Sequence, residues 1–133
     1  MSRITAPMFN ALIRTHHITS RKKVANLKKA AGKYEVYALL RSGGCPGIMY
    51  CEGLEDGVNN WVASVQRLRY KDFHLVTRPG PLQQEQEDKP KAAYRDVPVG
   101  LFEVETVKGF SDVMSKRGVL QWWKRGMGYV KED

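Results

Sequence analysis

The stretch "YEVYALLRSGGCPGIMYCEG", residues 34–53, decides the fold. "YEVYALLR" alternates as a β-strand, "SGGCPG" supplies the glycines and proline of a turn, and "IMYCEG" reads as the returning strand of a hairpin. A hairpin in mid-chain gains its meaning from what flanks it.

Upstream, "TSRKKVANLKKAAG" reads as a helix, with Thr19 or Ser20 as its cap and Gly32 at its end. Val24, Leu27 and Ala31 fall on one helical face, which leaves Lys22, Lys28 and Lys29 toward water. Before it, Ala11 to His17 suits a short strand. Downstream, "LEDGVNNWVASVQRLRY" sets Val58, Trp61, Val62, Val65 and Leu68 on one face of a second helix, with Glu55 and Asp56 at its positive end. "KDFHLVT" then reads as a fourth strand, with Phe73 and Leu75 on one side and His74 and Val76 on the other.

The order is β-α-β-β-α-β, so the expected class is α+β: a ferredoxin-like split β-α-β sandwich with a four-stranded antiparallel sheet and both helices on one face. At 133 residues the chain is expected to form one domain. Its core runs over about residues 10–77. A loop over 78–98, with four of the six prolines, is expected to be long and mobile, and a C-terminal extension covers 99–133. The extension holds Leu101, Phe102, Val104, Val107, Trp122, Trp123 and Tyr129, and reads as one or two short helices broken at Gly118 and Gly126 that pack back on the domain. Trp122 and Trp123 are expected in the core.

The net charge of +8 is unevenly placed. Residues 1–34 carry eight Lys/Arg and no acid, while the remaining 99 residues hold fourteen groups of each sign. Such a concentration of cations suits a polyanionic partner, because neutralising phosphates releases counterions. The 42% apolar content is that of an ordinary globular protein, and no window is apolar for long enough to span a membrane. "MSRITAPMFNALIR" runs directly into a strand and is read as part of the domain, with no secretory signal. Cys45 and Cys51, six apart along one extended strand, would lie roughly 20 Å apart. They are therefore read as reduced thiols that make no metal motif, in a nuclear or cytoplasmic protein.

If Ile13, Val36, Leu40, Met49, Phe73 and Leu75 face the helices, Arg14, His16, Tyr37, Arg41, Tyr50 and His74 share the opposite face. Cations, imidazoles and flat rings on an open sheet suit single-stranded RNA, with rings stacking on bases and cations on phosphates. Tyr37 and Tyr50 are the expected stacking residues, while Arg14, His16, Arg21, Lys22, Lys23, Lys28 and Lys29 form the expected phosphate-facing group. Glu52 is also expected on this face.

Regular alternation would send His16 and His17 to opposite faces, with His17 buried and structural. "HIT" at 17–19 matches half of a two-histidine phosphoesterase motif. In "HLVT", however, Thr77 follows His74 by three residues rather than two, so the second half fails. No catalytic residue, cofactor or metal is expected, and the leading expectation is a non-enzymatic RNA-binding module. The alternative is a protein-interaction module, in which the basic helix or the tryptophan segment meets a protein partner. A phosphoesterase-like enzyme is a distant third.

"LIRTHHITSRKK", "PGIMYCEG" and "WVASVQRLRYKDFHLV", in that order over residues 12–76, resemble the Prp-three C-terminal-like domain family, the domain that follows the RWD module in RWD-domain-containing protein two. "FSDVMSKRGVLQWW" resembles the family's C-terminal helical portion. The resemblance implies a ferredoxin-like core. In the spliceosomal branch it implies binding to small nuclear RNA, hence a nuclear ribonucleoprotein role in splicing. In the RWD-linked branch, to which the double histidine and the Pro-Gly bring this chain nearer, it implies protein contacts.

Overall fold

The structure, a computed structural model, describes residues 6–85 and 98–129. Among the described residues nine elements follow one another: β1 (Met8–Thr15), α1 (Arg21–Lys33), β2 (Tyr37–Arg41), β3 (Gly47–Leu54), α2 (Glu55–Arg67), β4 (His74–Pro81), β5 (Gly100–Val104), α3 (Val107–Lys116) and α4 (Leu120–Met127). The first six give the expected β-α-β-β-α-β order. The sheet order is β4-β1-β3-β2-β5, and the β4-β1-β3-β2 part is antiparallel and ferredoxin-like.

Among the described residues the sheet has five strands rather than four. β5 adds to β2 in parallel, with Tyr37 opposite Gly100 and Arg41 opposite Val104. A parallel neighbour needs no tight turn before it, so no local signal marks it. Leu101 enters the core beneath α1, and Phe102, on the other side, stacks on Tyr37 with ring centroids 5.5 Å apart.

Both predicted helices form where their apolar spacing places them. The Ser20 hydroxyl caps α1 by accepting the Lys23 amide proton at 3.2 Å, and Val24, Leu27 and Ala31 are buried. The helix passes through Gly32 and closes at Tyr34, after which Glu35 takes a left-handed φ of 55°. On α2, Val58, Trp61, Val62 and Val65 are buried, and the Trp61 indole donates to the Leu27 carbonyl at 3.1 Å, tying the two helices together. With Ile13, Leu40, Met49 and Cys51 they form the first core layer.

The residues expected to begin a mobile loop are ordered. Arg78–Pro81 continue β4, the Leu82 amide donates to the Met8 carbonyl at 2.8 Å, and Gln84 and Glu85 bond to the C-terminal segment. Gln84 donates its side-chain amide to the Arg117 carbonyl, and the Glu85 carboxylate accepts the Gln121 and Trp122 amides at 3.0 and 2.7 Å. Glu85 thus supplies from elsewhere the cap that Val119, at the start of α4, does not provide. The rest of that loop, residues 86–97, lies outside the described residues.

Gly118 breaks α3 from α4 as expected, with φ of 76°. Gly126 does not end α4, which runs on to Met127 and closes at Gly128 in the left-handed region. Gly126 has a packing reason instead: a Cβ there would stand 2.9 Å from Leu12 Cδ2, so glycine lets α4 settle onto β1.

Gly43 also serves a close approach, in the β2–β3 turn. A Cβ at this position would overlap the Glu105 carbonyl oxygen, with the carbonyl carbon only 2.8 Å away. Gly43→Ala must push the turn off the β5–α3 junction, and the expected cost is about 1–3 kcal/mol, read as a lower urea midpoint. An unchanged midpoint would mean that the turn yields freely.

Candidate nucleic-acid interface

Cross-strand pairing arranges the sheet face opposite α1 and α2 in three rows. Tyr37, Glu52 and Asn10 make the first, Leu39, Tyr50, Leu12 and Thr77 the second, and Arg41, Ile48, Arg14 and His74 the third. Residues paired across antiparallel strands point the same way, so each row lies on one face.

α3 and α4 lie over the first two rows. Phe110, Met114, Val119, Trp123 and Met127 pack on Leu12, Tyr37, Leu39, Ile48 and Tyr50 as a second core layer. Tyr37 is 6% exposed and Tyr50 is 0% exposed, so neither is a stacking platform for bases. The rings were rightly placed on that face, but helices occupy it. Trp123 is buried at 1%, as expected for core, and Trp122 is partly buried.

Burial makes the first row electrostatically demanding. Glu52 is 2% exposed and is met by Arg117 at the end of α3, with guanidinium-to-carboxylate distances of 3.0 and 2.5 Å. The Tyr50 hydroxyl donates to Glu52 at 2.6 Å and accepts from the Asn10 amide at 3.2 Å, while the Arg117 guanidinium lies 4.3 Å from the Tyr37 ring centroid. Burial first, then the Glu52 charge, raises the Tyr50 phenol well above its ordinary pKa, which keeps it a neutral donor.

The third row remains accessible in part. Arg14 and His74 are exposed. Arg41 is half-buried and engaged: its guanidinium donates to the Glu105 carbonyl at 3.0 Å and the Pro46 carbonyl at 2.9 Å. Its role here is to hold the β2–β3 turn.

The α1 cations lie on the other side of the sheet, so the expected phosphate-facing residues do not form one surface. Lys22, Lys28 and Lys29 are exposed on the outer face of α1, whose first turn carries no acid. Lys23 is half-buried, with Nζ 4.8 Å from the Tyr70 ring centroid. Arg21 is committed to Glu103 of β5 through two bonds of 3.1 and 2.7 Å, and the Ser42 hydroxyl donates to the same carboxylate at 2.9 Å. These hydrogen bonds, chiefly the one from Arg21, hold the Glu103 carboxyl below its ordinary pKa.

The β1–α1 junction departs most from expectation. β1 stops at Thr15, so the two-residue alternation no longer governs His16 and His17. Both histidines come to the same side, with ring centroids 4.0 Å apart, and His17 is exposed while Ile18 takes the buried position. They line a cavity of about 190 Å³ with Thr19, Ser20, Lys23, Tyr70 and Lys71. Burial pushes the Tyr70 phenol up to about 12. His74 is not among the lining residues.

Two neighbours of His16 were not read from the sequence. Its Nδ1 lies 3.4 Å from the Asp72 carboxylate and 3.9 Å from the Cys45 sulfur. The glycine-rich turn signalled that residues 42–46 reverse direction, but not that the reversal ends beside β1.

No family model matches the chain, and no curated protein matches it. A solved structure described as "BlrP1 BLUF" is similar at 13% sequence identity, over 96% of this chain and 80% of that one, with a TM-score of 0.49. Among the described residues no helix is long and apolar enough to cross a membrane.

Proposed function

We propose that the chain is a non-enzymatic RNA-binding module that grips the phosphate backbone with the outer face of α1. The observation that carries this reading is the placement of the surplus charge: residues 1–34 hold eight cations and no acid, and Lys22, Lys28 and Lys29 project from α1 opposite its buried stripe. The exposed Arg14 and His74 at the far end of the sheet supply a second, smaller contact. With Tyr37 and Tyr50 buried, this grip relies on phosphates more than on stacked bases, so it favours charge and shape over sequence. The resemblance to the Prp-three C-terminal-like family supports the same reading and suggests small nuclear RNA, and with it a nuclear role in splicing, as the first ligand to try.

Fluorescence anisotropy of a labelled single-stranded RNA across a salt series tests it. Lys22→Glu, Lys28→Glu and Lys29→Glu together are expected to weaken binding at low salt by more than about tenfold and to reduce the salt slope by about 2, at roughly 0.7 per phosphate contact on a single strand. Arg21→Glu is a poorer probe, since it would set a second acid against Glu103 and disturb the fold. Unchanged binding in the triple variant would refute the proposed grip. No binding by the wild type, together with a stoichiometric protein partner that survives nuclease, would leave the protein-interaction reading in its place.

A further inference from the structure

We infer that His16, His17 and Cys45, with Asp72 beside them, form a binding site for a transition-metal ion of the zinc class. The donor atoms of the first three residues all lie within 4.8 Å of one another. They come from different parts of the chain: the end of β1, the β2–β3 turn and, for Asp72, the connection between α2 and β4. Two imidazoles and a thiolate are borderline-soft donors, suited to Zn²⁺ rather than to Mg²⁺ or Ca²⁺.

The backbone around the site is built. The His16 amide donates to the Lys71 carbonyl at 2.9 Å, and the Gly47 amide donates to the His16 carbonyl at 3.2 Å. These bonds join the three contributing segments. Arg41 fixes the β2–β3 turn through the Pro46 carbonyl, and Gly43 lets that turn lie against the Glu105 backbone. Asp72 takes a left-handed φ of 55°, a conformation that aspartate tolerates better than most residues, at the point where its carboxylate meets His16.

A tetrahedral zinc ion with Zn–N near 2.0 Å and Zn–S near 2.3 Å needs donors roughly 3.3–3.6 Å apart. The His16–Cys45 separation of 3.9 Å is close to that. His17 and Cys45 are both exposed, so side-chain rotation can close the rest without moving the core. The charges also balance. The Cys45 thiolate and Asp72 carboxylate offset a dication, while Lys23 and Lys71 line the cavity beside the two histidines, Lys23 with its Nζ over the Tyr70 ring. Binding converts the Cys45 thiol to thiolate and releases one proton to solvent for each ion bound. Three protein ligands leave a fourth position, and the Asp72 carboxylate, 3.4 Å from His16 Nδ1, is placed to fill it.

A catalytic thiol–imidazole–carboxylate relay fits less well. Such a relay uses both ring nitrogens of its histidine, whereas Cys45 and Asp72 both approach His16 Nδ1. Donor atoms gathered within 4.8 Å of one another suit a shared ion better than a relay.

The test uses the full chain, stripped with a chelator and titrated with Zn²⁺ against a chromophoric competitor, then with Co²⁺ as a spectroscopic substitute. One equivalent should bind, and Co²⁺ should give a thiolate-to-metal charge-transfer band with visible bands of four-coordinate intensity. Cys45→Ser should abolish the charge-transfer band and Cys51→Ala should keep it. Asp72→Asn, which replaces a charged oxygen donor by a neutral amide, should weaken binding by at least the roughly tenfold that even an outer partner is worth, and His17→Ala should weaken it more. In the unmodified chain, Zn²⁺ should protect Cys45 from alkylation, read by peptide mass, which requires no variant to fold. Absent uptake, a band that survives Cys45→Ser, or alkylation unaffected by Zn²⁺ would each overturn the inference. None of these readouts involves nucleic acid, so the site and the RNA reading succeed or fail separately.

Discussion

Arg117→Met is expected to lower unfolding stability by about 3 kcal/mol, measured as a fall in the urea midpoint. The variant fills much of the volume of the lost side chain but strands Glu52, which is 2% exposed and, among the described residues, keeps only the Tyr50 hydroxyl as a hydrogen-bond partner. The Arg117 side chain is 16% exposed, so solvent softens the loss and the lower end of the usual 3–5 kcal/mol range for a broken buried pair applies. Glu52→Gln combined with Arg117→Met should recover most of the stability, because the penalty comes from the abandoned charge rather than from the missing attraction. A cost below about 0.5 kcal/mol for the single variant would place this pair with ordinary surface ion pairs.

Trp61→Ala and Trp123→Ala should each cost about 3–5 kcal/mol, since both rings are essentially buried and each anchors one of the two core layers. Their phenylalanine variants should differ. The Trp61 indole bonds to the Leu27 carbonyl and loses that bond in Trp61→Phe, whereas the Trp123 indole nitrogen is buried with no hydrogen-bond partner among the described residues. Trp123→Phe therefore removes an uncompensated polar group along with some ring area, and keeps the stacking on Phe110 at 5.6 Å. It should be the milder change by about 1 kcal/mol or more in thermal or urea unfolding. Equal costs would show that lost ring volume alone sets the effect.

Legibility in the sequence followed periodicity. Val24, Leu27 and Ala31, and Val58, Trp61, Val62 and Val65, repeat at helical spacing, and the hairpin between them alternates, so the ferredoxin-like core could be read directly. β5 could not, because its parallel partner lies far back in the chain and "LFEV" is too short to announce a strand. Tyr37 and Tyr50 were assigned to the correct face but to the wrong environment. What decides their burial is the stripe of Phe110, Met114, Trp123 and Met127 on later helices, which shows that something packs but not where.

The site was legible in the same uneven way. Charge clustering is a property of the sequence itself, and it found the outer face of α1. The engagement of Arg21 by Glu103 and of Arg41 by backbone carbonyls is tertiary, and no spacing rule reveals it. His16 and His17 were separated by applying strand alternation two residues too far. Ile18, which takes the inward position, was the one local sign that the strand had already ended.

The closing strand has a consequence for biosynthesis. Arg21 finds Glu103 across 82 residues, and β2 has no outer neighbour until Gly100 has been made. A nascent chain therefore passes through an interval in which the β2 edge is unpaired and the apolar rows around Leu39 and Tyr50 have no cover. Those are the conditions under which growing polypeptides associate with one another or recruit chaperones. The segment from Gly100 onward is what covers both the β2 edge and those rows in the finished fold.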